Sequence, residues 1–369
     1  MKKRIAYFFI DGRSKRINSG NKYPEEMFYG FSYLKKKEGN VLLIEAKKTK
    51  IRKFFQDKIE DKISYILKTP LFFSYYLTLK NIYWVIKSNY LVLTNHRVAI
   101  SCLPLIYISK IFFSKPDVAI FIMGMGSSNP KNSLFLKIKF LFVSSLFKNV
   151  EKVYFLSKAE LDYYKTSFSK YSKKFHYYPF SVDLNFWKKN FKEKEKEILF
   201  VGNDGNRDYE LLINIVNSLN EYKFTIVSNQ ITKDRITNRN CKIIQGSFAS
   251  EGISDKELRD IYNNSYLTIL PIRESIQPSG QSVALQSLAC GTPVLITNTE
   301  GFWDKKNFKD ESNIFFVNNN ELDEWIKKIN NLLSLDKEKY FNHIDKSLET
   351  ITSSYDLDKF HKSFEKFFD

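Results

Sequence analysis

Residues 270–302 read LPIRESIQPSGQSVALQSLACGTPVLITNTEGF. A short apolar run stops at Pro271, a polar loop follows, and Ser279-Gly280-Gln281-Ser282 opens a stretch of helical spacing that closes at Cys290-Gly291. Thr292-Pro293 then leads into Val294–Thr297, a second run of strand length. Strand, Gly/Ser turn, helix and strand together make a βαβ unit, the building block of a parallel sheet. A Gly/Ser turn at a helix N-terminus presents unbonded N–H groups and the positive end of the helix dipole, which suits a phosphate. Gly280 permits close backbone approach, and Gln286, one turn beyond Ser282, has an amide that could hold a ribose hydroxyl. An ordinary capped connection has the same composition, so the turn alone leaves both readings open.

The alternation extends in both directions. Ile198–Val201, Phe224–Val227, Lys242–Ile244 and Leu267–Leu270 are further strands of the second half, with helices at Tyr209–Leu219, Ser254–Asn263 and Gln281–Ala289. Ser254 and Glu257 have capping-box spacing. In the first half Arg4–Ile10, Asn40–Ala46, Tyr90–Thr94, Val118–Met123 and Val153–Leu156 read as strands. Asp11–Tyr23 reads as a Gly/Ser/Asn loop, and Glu25–Glu38 as a helix stopped by Gly39. Between the halves, Lys188–Glu197 (KKNFKEKEKE) is an alternating-charge linker with almost nothing to bury. The expected class is α/β, with two Rossmann-like domains and ligands at the strand C-termini.

The 369 residues suffice for two domains. With 43% hydrophobic and 27% charged residues the chain is folded rather than disordered. Three dispersed cysteines argue against a disulfide scaffold or a zinc ribbon and fit a reducing cytoplasm. The run Ile5–Ile10 ends at Asp11, too short for a signal peptide core, and reads as a buried first strand. The longest apolar stretches, Thr69–Leu79, Val98–Ser109 and Val118–Pro130, are too short to span a bilayer. The net charge of +17 is divided unevenly. Residues 1–192 hold 36 Lys+Arg and 13 Asp+Glu, or +23, whereas 193–369 hold 22 and 28, or −6. A compositional bias of the genome would colour both halves alike, so the asymmetry points to a partner for the first.

Leu288-Ala289-Cys290-Gly291-Thr292-Pro293-Val294 closely resembles the donor-site run of the GT-B glycosyltransferases, particularly glycosyltransferase family 4, the glycosyl transferases group 1. Glu251–Pro271, Tyr154–Trp187, Val201-Gly202-Asn203-Asp204 and the closing helix Tyr355–Phe368 are similar to other pieces of that family, in its order. The resemblance implies a GT-B fold: two Rossmann-like domains facing across a cleft, with a C-terminal helix crossing back to the N-terminal domain. It divides the chain into an acceptor-binding domain (1–192), a nucleotide-sugar-binding domain (193–352) and the crossing helix (353–369). It also implies a retaining transferase that moves a sugar from a nucleotide diphosphate, UDP- or GDP-linked, to a hydroxyl on a lipid-linked or polysaccharide acceptor. No metal is expected: no DxD-type motif is present, and His96, His176, His343 and His361 are not clustered.

Carried onto this chain, the resemblance places the nucleotide on Gly202, Asn203, Asp204, Ser279, Gly280, Ser282 and Gln286. It places Arg207, oriented by Asp204 or Asp208, on the diphosphate; a surface Arg–Asp pair at a helix start is the alternative. Two positions depart from the family. Gln286 stands where its second Glu falls, and Pro278 where its first acidic residue falls. The donor-sugar hydroxyls then go to Gln277, Gln281 or Glu274, in what looks like a coherent QPSGQS variant. For the acceptor, the candidates are Arg13 on the basic stretch Arg13–Gly20, Asn95-His96-Arg97 after a strand, and Gly124. Met123-Gly124-Met125-Gly126 occupies the place where many family members carry a His.

Between Ile63 and Val150 a single acid, Asp117, faces ten Lys+Arg, interleaved with aromatics from Tyr65 through Phe147. That composition fits contact with an anionic membrane surface, placing the protein at the inner face of the cell membrane in cell-surface polysaccharide or lipopolysaccharide assembly. No RNA-binding signature accompanies it, so nucleic acid is not expected. A sugar-nucleotide epimerase and a catalytically inactive scaffold partner of the same fold are the rival readings.

Overall fold

The computed structural model describes residues 3–126, 131–190, 194–246 and 252–369. The end of the Val118–Pro130 run, the middle of the Lys188–Glu197 linker and Glu251 lie outside the described residues. The apolar runs become two all-parallel six-stranded sheets. The first contains β1 (Ile5–Phe9), β2 (Val41–Glu45), β3 (Tyr90–Leu93), β4 (Asp117–Ile122), β5 (Lys152–Phe155) and β6 (Phe175–Tyr177), in the order β2-β1-β3-β4-β5-β6. The second contains β7 (Glu197–Val201), β8 (Lys223–Val227), β9 (Cys241–Ile244), β10 (Leu267–Leu270), β11 (Val294–Thr297) and β12 (Phe315–Val317), in the order β12-β11-β10-β7-β8-β9. Every residue of β1, β10 and β11 is buried, as expected of strands covered by helices on both faces. In each sheet the winding reverses beside the first strand, at β1/β3 and at β7/β10, the switch point at which open α/β sheets bind their ligands.

The chain forms two compact units and enters each more than once. Met1–Asn21, Phe28–Pro179 and His361–Asp369 make the first; Lys22–Met27 and Phe180–Phe360 make the second. The returning C-terminus is held by aromatic packing. Phe364 is 1% exposed, with its ring 5.2 Å from Phe121 and 5.6 Å from Tyr154, and the Tyr90 hydroxyl donates to the Phe368 carbonyl at 2.9 Å. Phe364→Ala is expected to destabilise the first unit by about 3–4 kcal/mol, because it empties a site walled by other rings. Thermal unfolding checks this, and an unchanged transition would show that the segment is not held.

Several local expectations are corrected. Glu25–Glu38 is not one helix. A 3-10 turn, Glu26–Phe28, is followed by two left-handed residues, Tyr29 (φ 49°) and Gly30 (φ 82°), and only then by the helix Phe31–Glu38, which ends at Gly39 as expected. Two consecutive positive φ angles cannot continue a right-handed helix. Asp11–Tyr23 is not all loop, since Arg13–Asn18 is helical. The edge strands β6 and β12, three residues each, carry too little pattern to be legible in advance. Part of the linker is packed: the Lys194 ammonium donates to Ser265 O at 3.1 Å and to Thr292 Oγ1, and burial pushes its pKa down to about 7.

Candidate active site

The reversal point of the second sheet brings together the two loops singled out in the sequence. Residues 202–208, between β7 and the helix Tyr209–Ser218, run beside the loop leaving β10. Arg207 and Ile272 form an antiparallel bridge, the Arg273 N–H donates to Asn206 O at 2.8 Å, and the Asp208 N–H donates to Pro271 O at 2.9 Å. Asn206 extends the tie, its Nδ2 donating to Ser279 Oγ at 3.1 Å and Ser275 Oγ at 3.3 Å. Asn203 faces the other way: it accepts from the Asn229 N–H at 2.6 Å and donates to Gly246 O at 2.7 Å, locking the loop to the ends of β8 and β9.

Arg207 is the centre of the site. Its residue is 2% exposed, and its guanidinium threads between two glycines. A Cβ on Gly202 would lie 2.4 Å from Arg207 Nε, and one on Gly280 would lie 3.1 Å from Nη1. Gly280 has φ 84° and stands at the N-cap of the helix Gln281–Ala289 with no side-chain cap. The site therefore needs glycine twice, for space at Gly202 and for both space and conformation at Gly280. Arg207 Nε and Nη1 have no hydrogen-bond partner, and the Asp204 carboxylate is 3.5 Å from Nη1. Asp208 is otherwise engaged, capping the Leu211 N–H at 3.3 Å and accepting from Asn320 Nδ2 at 3.1 Å. Of the two proposed orienting carboxylates, Asp204 is the partner. Cationic N–H groups beside an uncapped helix start, among buried side chains, form a cradle for an anion with several oxygens.

The model of the family described as Glycosyl transferases group 1 matches residues 181–347. Residues 181–347 belong to that family. The whole chain has the GT-B fold. The structure of Anabaena Alr3699/HepE in complex with UDP-glucose covers 98% of this chain and 98% of its own at TM-score 0.67 and 11% identity. A glycosyltransferase from Rickettsia africae covers 100% and 98% at TM-score 0.64 and 13% identity. S. aureus TarM, in complex with fondaparinux, alpha-GlcNAc-glycerol and UDP, covers 78% and 59% at TM-score 0.60 and 13% identity. No match to a curated protein sequence was found. At these identities the structural likeness speaks to fold, and the family match identifies the chemistry as glycosyl transfer.

In this glycosyltransferase the remaining donor-side candidates fall on the same helix and its approach. Ser279 and Gln281 are buried, Ser282 and Gln277 half-buried. Glu274 is already engaged, accepting the N–H groups of Ser275 at 3.0 Å and, from the loop after β11, Glu300 at 2.8 Å. Gln286 is 6% exposed and its amide is engaged at both ends: Oε1 accepts from the Tyr262 hydroxyl at 3.4 Å, and Nε2 donates to Glu26 Oε1 at 3.0 Å.

Glu26 is the residue that sequence reasoning missed. It is 2% exposed, and its Oε1 also accepts from Trp187 Nε1 at 2.6 Å. Burial pushes its pKa up to about 7, against the opposing effect of those donors. Its partner Gln286 lies 260 residues away, and no local pattern announces it.

The first-unit candidates sit at three strand ends. Arg13 follows β1; its N–H donates to Glu45 Oε1 at 2.6 Å, its Nη1 donates to Asp11 O at 2.8 Å, and its guanidinium lies over the Phe9 ring. Asn95 follows β3 and caps the Val98 N–H at 2.9 Å. His96 is 6% exposed and held neutral, its pKa pushed down to about 3 by burial, while Arg97 is exposed. Gly124 follows β4 with φ 76°, and its N–H donates to Glu160 Oε2 at 3.0 Å. Glu160, fully buried, also accepts from the Gly126 N–H at 3.3 Å, and burial raises it to about 7. Among the described residues no cluster of His, Cys, Asp and Glu is arranged to hold a metal.

Proposed function

We propose that this protein transfers a sugar from a nucleoside diphosphate sugar to an acceptor hydroxyl, with retention at the anomeric carbon. The observation that carries the reading is Arg207: a buried guanidinium against Gly280, at the uncapped start of the helix Gln281–Ala289, with neither Nε nor Nη1 hydrogen-bonded and Asp204 as its 3.5 Å ion-pair partner. Donor diphosphate bound there meets a fixed cation and the helix N–H groups, and both become more favourable as the leaving diphosphate gains charge. In this reading Gly202, Asn203, Asp204, Ser279, Gly280, Ser282 and Gln286 shape the nucleotide pocket, and Gln277 and Gln281 face the sugar. Arg13, Asn95, His96, Arg97 and Gly124 are assigned to the acceptor. His96, being neutral, would act as a hydrogen-bonding group rather than a cation.

The acceptor in this reading is a lipid-linked or polysaccharide glycan, presented to a cytoplasmic protein at an anionic membrane face. Support comes from the +23 charge of residues 1–192. The test is a panel of UDP-, GDP- and ADP-sugars, measured by thermal shift and by sugar release. One donor should raise the unfolding temperature by several degrees and turn over. Exhaustive chelation should leave that rate within about twofold, because Arg207 and the helix end supply the charge that a metal would otherwise provide. Absence of binding to every donor would favour the scaffold reading, and a tenfold loss on chelation would overturn the metal-free one.

A further inference from the structure

The helix after β2 is inside out. From Lys50 to Leu67 the chain is continuously helical: an α-helix over Lys50–Phe55, a π turn over Gln56–Glu60, and an α-helix again over Asp61–Leu67. Its inward face is polar. Gln56 is 4% exposed and donates to Leu71 O at 2.9 Å; Glu60 is 7% exposed and accepts the Ser74 N–H at 2.7 Å; Ser64 Oγ accepts the Leu71 N–H at 2.9 Å. Its outward face is apolar. Ile51 and Tyr65 are each 73% exposed and Phe54 59%, and Phe55, Ile59, Ile63 and Ile66 are exposed as well. An amphipathic helix on a water-facing surface does the reverse.

The exposure is regional. Among the described residues, every large exposed apolar side chain except Phe341 lies between Ile51 and Phe142. The helix Asp61–Leu67 packs on the helix Ser133–Lys148, which exposes Leu134 and Leu141 in turn. Around the apolar face stand the exposed cations Lys50, Lys53, Lys58, Lys62 and Lys68, while the exposed acids on the helix are Asp57 and Asp61. A second copy of the chain meeting this face symmetrically would set lysine against lysine. An anionic lipid leaflet offers hydrocarbon to the isoleucines and phenylalanines and phosphate to the lysines.

We propose that Lys50–Leu67 is an interfacial helix that lies in an anionic leaflet, with its Ile/Phe face in the acyl boundary and its lysines at headgroup level. The proposal rests on the membrane reading given above and names the element that performs it. No helix among the described residues is long and apolar enough to cross a bilayer, so this is contact in the plane of the surface.

The test is co-sedimentation of the full chain with vesicles of phosphatidylglycerol and phosphatidylcholine in equal parts, at low salt. Wild type should bind. Phe54→Ser with Ile59→Ser should weaken binding by more than about tenfold, since two inserted side chains are lost. Phe341→Ser should bind as wild type does, and Ile59→Trp should show blue-shifted emission on the same vesicles. Because the replaced residues are exposed, the serine variant should unfold at the wild-type temperature. Wild-type binding that the serine pair leaves intact would overturn this proposal and spare the membrane reading. No wild-type binding would sink both, and a serine pair whose only effect is to break a dimer would overturn this proposal alone. Sugar release from soluble donor is unaffected in every case, which separates these outcomes from failure of the transferase reading.

Discussion

Arg207→Ala is expected to lower sugar release from the nucleotide donor by about 10²–10³-fold, the usual cost of removing a preorganised donor aimed at developing negative charge. Arg207 lies between Gly202 and Gly280 with Nε and Nη1 free of hydrogen bonds and Asp204 3.5 Å from Nη1, so the substitution removes charge and direction together. Arg207→Lys restores the charge but not the planar fork, and should recover only part of the rate. Gly202→Ala should resemble Arg207→Ala without touching the cation, because its Cβ would meet Nε at 2.4 Å and force the side chain aside. Asp208→Ala is the control. It removes a helix cap, costing about 1 kcal/mol of stability, but should leave donor turnover intact, since its carboxylate serves Leu211 and Asn320. Steady-state kinetics on these four variants checks the assignment, and it fails if Arg207→Ala turns over like wild type.

What was legible beforehand divides by physical range. The βαβ unit at 270–302, the Ser254–Glu257 capping box and the Gly39 stop are local signals, and each appears as expected. The pairing of Gly202, Arg207 and Gly280 was half legible: both loops were identified, but their contact depends on β7 and β10 being neighbours in the sheet. Composition alone does not sort buried aromatics from exposed ones. Of the aromatics between Tyr65 and Phe147, Tyr75, Tyr76 and Phe147 are core, whereas Tyr65, Tyr83, Phe112 and Phe113 are exposed. The exposed apolar face of Lys50–Leu67 has a helical spacing that also fits a buried face. Only the inward hydrogen bonds of Gln56 and Glu60 reveal its orientation.

Glu26→Ala should destabilise the second unit by about 2–6 kcal/mol, because it strands two buried donors, Trp187 Nε1 and Gln286 Nε2, each costing about 1–3 kcal/mol unpaired. Glu26→Gln keeps an acceptor oxygen for both, and its effect should depend on pH. Burial raises the folded pKa of Glu26 from 4.5 to about 7, so between those values the folded state keeps a proton that the unfolded chain has released. The stability this contributes is complete below about pH 4.5 and is lost as pH rises through about 7, to a total of about 3 kcal/mol. Glu160, raised in the same way, adds a loss of the same sign in the first unit. Denaturant titrations from pH 5 to 8.5 should therefore show the wild type losing stability relative to Glu26→Gln, and relative to Glu160→Gln, as pH rises, a comparison in which the opposite slopes of the buried His96 and Lys194 cancel. A difference between wild type and Glu26→Gln that stays constant across this range would mean that burial does not hold the Glu26 proton in the folded state. The same variants probe function, because Glu26 and Tyr262 hold the Gln286 amide between them. If Gln286 binds the nucleotide, Glu26→Ala raises the donor KM with kcat little changed, whereas a purely structural Gln286 leaves KM alone in the fraction that folds.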